Sequence, residues 1–233
     1  MDASVVPEKV CDPLKTLQGL LNKMSTTNAV KIIDQVVALT SVPLDIVVHA
    51  VLAQACKQSS YFKQYVQTIK ELSLKRGATE ITGLLDQYVA EFKSAPFFMV
   101  DGLTEKESYD DFCTRVKTTS QSMGKHKCVL ELLDVFETDL AHTKAEYVQW
   151  YMNSWSSLLC ITDHNKRDMC AELFLDGCDY ILKTKAKTVD APTAADYIAL
   201  LKAGVVQNNM PLKLKFKIMD MEELAAVPRL AKF

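Results

Sequence analysis

Thiols, imidazoles and neighbouring carboxylates are the side chains in this sequence that could carry chemistry. There are seven cysteines (Cys11, Cys56, Cys113, Cys128, Cys160, Cys170, Cys178) and four histidines (His49, His126, His142, His164). His126 and Cys128 stand closest together. A thiol nucleophile needs a base beside it and a third group to orient that base. No third group can be named here, and a thiol-dependent enzyme remains only as a rival reading. Structural zinc needs ligands at short fixed spacings such as C-x-x-C. No such pair occurs and the histidines are scattered, so no metal and no cofactor is expected. Asp110-Asp111 and Glu222-Glu223 are adjacent carboxylates, which point to different sides of a helix and make a poor acid–base pair. Neither G-x-x-x-x-G-K-[ST] nor G-x-G-x-x-G is present, so no phosphate-cradling loop is expected. These residues predict a protein without a catalytic centre.

Binding chemistry is the next possibility. Trp150, Tyr151 and Trp155 could stack on bases, but tryptophans five apart fall on different flanks of a helix, and core packing is expected for at least one. Lys183, Lys185 and Lys187, with Lys213, Lys215 and Lys217, form two basic stretches. At helical spacing they spread round the surface, and a solvated face competes with RNA contact. The net charge of −2 excludes bulk attraction to nucleic acid, so RNA would need a local patch.

The elements that position these groups should be helices. Only seven glycines occur in 233 residues, too few for a fold built on tight turns. Leu14, Leu17, Leu20 and Leu21 share one helical face, and Val30, Ile33, Val36, Val37 and Leu39 form the next stripe. Between them, Ser25-Thr26-Thr27-Asn28 breaks the pattern, with Ser25 placed as an N-cap. Pro43 opens a third helix over 44–57, and a fourth runs from about Ser60 to Lys75. Gly77 stops it, and Ile81–Phe92 follows. Residues 94–105 read as a loop that buries Phe97 and Phe98. Further helices are expected at 105–121, 126–139, 143–160, 165–186, 193–206 and 210–224.

Ten or eleven helices with short connections predict an all-α stack of antiparallel pairs. Pairs recur at roughly 40–47 residues, the length of HEAT-type repeats, so about five would fill one domain over residues 13–230, after an extension at 1–12. No apolar run reaches the roughly 20 residues of a membrane span. The opening MDASVVPEKVCDP lacks a signal peptide's basic start and apolar block, which predicts a cytoplasmic chain with reduced thiols.

In order along the chain, several motifs resemble the middle domain of eukaryotic translation initiation factor 4 gamma. Leu21-Asn22-Lys23-Met24-Ser25 is similar to that family's L-N-K-L-T, Gln35-Val36 to its later Q-V pair, and Phe62 with Tyr65 to its aromatic-rich helix. LLDQYVAEF (84–92) and SMGKHKCVLELLDVF (122–136) resemble its middle helices. MPLKLKFKIMDMEELAAVPRL (210–230) is similar to its closing motif, matching Phe216, Asp220, Leu224, Val227, Pro228 and Arg229. Ala29 replaces a family phenylalanine, Ala225 an arginine, and no tryptophan precedes Val227. The lost Phe anchor is of a kind worth on the order of 2 kcal/mol or more in a desolvated pocket.

The resemblance implies a non-enzymatic translation-initiation scaffold that binds and stimulates a DEAD-box RNA helicase. One end would dock through Leu21, Asn22, Lys23, Met24 and Ala29, the other through Phe216, Asp220 and Arg229. It further implies mRNA contact through the six lysines, and a cap-binding subunit if a longer chain supplies its motif. Related adaptors in mRNA decay, splicing or poly(A)-binding-protein recruitment are the alternative, and a purely structural helical protein is a third reading.

Overall fold

A computed structural model describes residues 12–94, 108–184 and 191–226. Among them all regular structure is helical: α1 (Pro13–Asn22), α2 (Ala29–Ala38), α3 (Leu44–Lys57), a single 3-10 turn (Ser59–Tyr61), α4 (Phe62–Arg76), α5 (Ala78–Ser94), α6 (Tyr109–Val135), α7 (Ala141–Leu159), α8 (His164–Thr184), α9 (Ala191–Gln207) and α10 (Leu212–Ala226). The expected loop at 94–105, with Phe97 and Phe98, lies outside the described residues apart from Ser94, which ends α5.

Local chemistry sets many of these boundaries. The Asp12 carboxylate accepts from the Leu14 amide at 3.0 Å, and Pro13 opens α1 where its missing N–H costs nothing. Gly77 ends α4 at φ +147°, a conformation that side chains rarely adopt. The Arg76 guanidinium donates to the carbonyls of Leu39 (3.4 Å) and Val42 (3.0 Å), tying the end of α4 to the α2–α3 turn.

Two readings of the sequence are corrected here. The helices expected at 105–121 and 126–139 are one 27-residue helix, α6. A capping box starts it, with the Ser108 hydroxyl accepting from the Asp111 amide and the Asp111 carboxylate accepting from the Ser108 amide. Gly124 costs only about 1 kcal/mol relative to Ala in a helix, and burial from Met123 onward offsets it. The apolar stripes are also rotated slightly. Ile32 joins Ile33, Val36 and Val37 in the core, whereas Val30 is 77% exposed and Leu14 and Ile46 also face solvent.

Helix contacts alternate along the chain. In one row α1 packs on α3, α3 on α5, α5 on α7 and α7 on α9; in the other α2 packs on α4, α4 on α6, α6 on α8 and α8 on α10. The rows are joined by α1–α2, α3–α4, α4–α5, α3–α6, α6–α7, α7–α8 and α9–α10. Neighbours within a row run parallel, as their side-chain pairs show. Asp86 and Lys93 of α5 meet Thr143 and Glu146 of α7 in the same order. Glu172 and Asp176 of α8 meet Lys213 and Lys217 of α10 likewise. One apolar core runs through the stack from Leu17 to Met221.

Two glycines let α7 sit close to its neighbours. Tyr151 is fully buried, donates to the Phe174 carbonyl at 2.9 Å and stacks on the Phe174 ring at 4.8 Å. A β-carbon on Gly177 of α8 would lie 1.8 Å from the Tyr151 hydroxyl oxygen. On α9, a β-carbon on Gly204 would lie 2.6 Å from Trp155 Nε1 and 2.9 Å from Leu159 Cδ1. Gly177→Ala is therefore expected to destabilise the protein by about 1–3 kcal/mol. Adding Tyr151→Phe should recover part of that loss, a coupling that urea denaturation of the two single variants and the double variant would measure.

Candidate docking surfaces

The corner between α1 and α2 is built by one amide side chain. After Asn22 the amides of Lys23 and Met24 still bond back to the carbonyls of Leu20 and Leu21, both at 3.1 Å. The Asn28 side chain then accepts from the Ser25 amide and donates to the Lys23 carbonyl, both at 2.8 Å. This corrects the reading of Ser25 as an N-cap: α2 starts at Ala29, and the Asn28 side chain clamps the turn instead of capping the helix.

Burial divides the residues that the resemblance assigned to this end. Leu21 and Met24 are 2% and 3% exposed. Their side chains belong to the core and not to the free surface, apart from the edge that Leu21 gives to the cleft between α1 and α3. Asn22 and Lys23 are exposed, and Ala29 is half-buried against the core. Beside Asn22 lies a cleft of about 320 Å³ between α1 and α3. Its walls include Gln18, Gln54 and Lys57, which sequence reasoning missed because polar residues at helical spacing look like any solvated face.

At the other end, α10 turns an apolar ridge outward: Leu212, Phe216 and Met219 are 60%, 55% and 50% exposed. Asp220 is exposed beside them, while Arg229, with Val227 and Pro228, lies outside the described residues. A groove of about 690 Å³ runs between α9 and α10, lined by Ala195, Ile198, Ala203, Val206 and Ala225 among others. The Lys202–Glu222 ion pair at 2.8 Å stands at its side.

The lysines expected to contact RNA are largely spoken for where they can be seen. Lys213 pairs with Glu172 at 2.6 Å and Lys217 with Asp176, so both bind α10 to α8. Lys215 is half-buried. Lys185 and Lys187 lie outside the described residues, and Lys183 is described only as part of α8. Trp155 is fully buried, and Trp150 is half-buried against His126, Phe92 and Tyr147.

Among the described residues the thiols and imidazoles form no reactive pair. The His126 ring is buried, its Nδ1 lies 2.8 Å from the Tyr147 hydroxyl, and the edge of Phe92 meets it at 5.0 Å. Cys128 is fully buried on the same helix, and burial pushes its thiol well above the ordinary range. Burial likewise raises Cys56 and Cys178, and lifts Cys170 to about 11. A thiol held protonated is a poor nucleophile. Among the described residues no three histidine, cysteine or acidic side chains gather in a way that could hold a metal ion. No described helix is long and apolar enough to cross a membrane.

The fold and surfaces thus define an all-helical chain with a polar cleft at one end and an apolar ridge at the other. No protein-family model matches the chain, and no curated protein matches it either.

Burial also raises Tyr65 to about 12 from an ordinary 10, and moves Tyr147 and Tyr151 upward as well. These groups, like the thiols, are raised in the folded state, so their contribution is complete below the unfolded values of about 9 to 10. It is lost as pH climbs through the folded ones. The urea midpoint is therefore expected to hold up to about pH 8.5 and to fall between about pH 9 and 12. Cys170→Ala should flatten the part between about 9 and 11, a difference that denaturation series at stepped pH would show.

Proposed function

We propose that this chain is a HEAT-type helical scaffold of translation initiation, and that it binds a DEAD-box RNA helicase. The observation that carries this reading is the pairing pattern: two rows of parallel helices over one core separate α1 from α10 across the whole stack. That pattern supports the solenoid implied by the motifs from Leu21-Asn22-Lys23 to Phe216 and Asp220. Exposed Phe216 and Asp220 at the far end, and exposed Asn22 and Lys23 at the first corner, support two separate contacts.

The mechanism is differential binding. A stack that touches both lobes of a helicase stabilises the arrangement in which the two contacts fit together, and it shifts a pre-existing equilibrium toward that arrangement. With Leu21 and Met24 in the core, the first contact is polar, through Asn22 and Lys23, and the apolar anchor lies at Phe216. The ion pairs of Lys213 and Lys217 favour a protein partner over mRNA. Adaptors in mRNA decay, splicing or poly(A)-binding-protein recruitment share the architecture and differ in what they capture.

Purified DEAD-box helicases should be retained by the immobilised domain and their ATPase stimulated. Phe216→Ala, at an exposed position, is expected to leave the thermal transition unchanged and weaken capture by about tenfold or more. Failure of every helicase tested to bind or respond would sink the assignment.

A further inference from the structure

We infer that the cleft between α1 and α3 is a binding site for an extended peptide segment carrying an acidic side chain. The proposal rests on the scaffold reading only in taking the partner to be a protein.

The cleft has a small apolar floor, Leu21, Ala50 and Ala53, with Gln18, Asn22, Gln54 and Lys57 around it. Position along the helices explains the grouping. On α3, Ala53 and Gln54 stand three and four residues after Ala50 and four and three before Lys57, facing Gln18, Leu21 and Asn22 on α1.

One hydrogen bond fixes what the cleft offers. Gln54 Nε2 donates to Asn22 Oδ1 at 2.9 Å. That bond uses the oxygen of Asn22 and one proton of Gln54, and it leaves Asn22 Nδ2 as donor and Gln54 Oε1 as acceptor across the same cleft. A peptide unit presents the opposite pair, a carbonyl that accepts and an N–H that donates. Alanines at 50 and 53 leave room for a main chain to approach, where larger side chains would fill the space.

Charge selects the side chain. Lys57 is exposed at the cleft and makes no salt bridge among the described residues. The two helices that form the cleft supply it with no anion: α1 contains no carboxylate, and the one carboxylate of α3, Asp45, is in its first turn. Twelve residues separate Asp45 from Lys57, about 18 Å along the axis. A carboxylate reaching Lys57 while its own backbone sits on Asn22 and Gln54 would pair with all three side chains. A basic side chain there would meet uncompensated like charge.

The probes are two blocked alanine tetrapeptides, one with a single aspartate and one with a single lysine, titrated into the intact chain. The readout is the side-chain amide resonances of Asn22 and Gln54. The aspartate peptide is expected to move both with a dissociation constant on the order of 1 mM, and the lysine peptide to bind at least about fivefold more weakly. Lys57→Glu should invert that preference, and Asn22→Ala should abolish the movement at Gln54. No movement of either amide up to about 10 mM, or equal response to both peptides, overturns the proposal. Helicase capture separates the two readings. Helicase capture by the wild-type chain with no movement of either amide overturns the cleft and leaves the scaffold assignment standing. Peptide binding without any helicase capture does the reverse.

Discussion

Tyr151 and Trp155 of α7 are fully buried, and each lies against a neighbouring helix at a residue with no side chain, Gly177 of α8 and Gly204 of α9. The rest of the C-terminal half depends on that closeness. With the helices this near, the Tyr151 hydroxyl reaches the Phe174 carbonyl and its ring stacks on Phe174, and the Trp155 ring lies 5.2 Å from the same phenylalanine. Interiors packed at this density do not yield to an added methyl group without displacing something. Because Tyr151 is held at both ring and hydroxyl, it cannot swing aside.

The same logic of short reach governs the whole chain. Substantial helix contacts join elements no more than three places apart in sequence, so burial accumulates from neighbour to neighbour, as in repeat architectures. Ion pairs follow the apolar seam on the outside. Asp34–Lys75, Lys93–Glu146, Glu172–Lys213 and Asp176–Lys217 each join successive members of one row. Exposed pairs of this kind contribute little individually. Where two contacts join the same pair of helices, as between α5 and α7 or α8 and α10, their order marks the helices as parallel.

Much of the fold was legible in the sequence because its signals are local. Pro43 placed the start of α3, Gly77 the end of α4, and the apolar spacing of Ile81, Leu85 and Val89 the inward face of α5. Where the decisive partner is distant in sequence, legibility failed. Nothing beside Lys213 and Lys217 announces the carboxylates at 172 and 176 that engage them. Leu21 and Met24 illustrate a different limit: an apolar residue in the last turn of a helix serves a core and an interface equally well, and only burial decides between them. The break expected between 121 and 126 failed for a third reason: Gly124 costs a helix only about 1 kcal/mol, and burial from Met123 onward carries α6 across it.

The two rungs between α8 and α10 lie one helical turn apart on both helices, Glu172 with Lys213 and Asp176 with Lys217. Sliding one helix past the other by a single turn would part both rungs and leave one mismatched pair, Lys213 with Asp176 or Lys217 with Glu172, so the junction has a vernier: only one setting engages both teeth. Tension applied to the two ends of the chain would accordingly meet a notch at this seam, with α10 held in register until both charges part together.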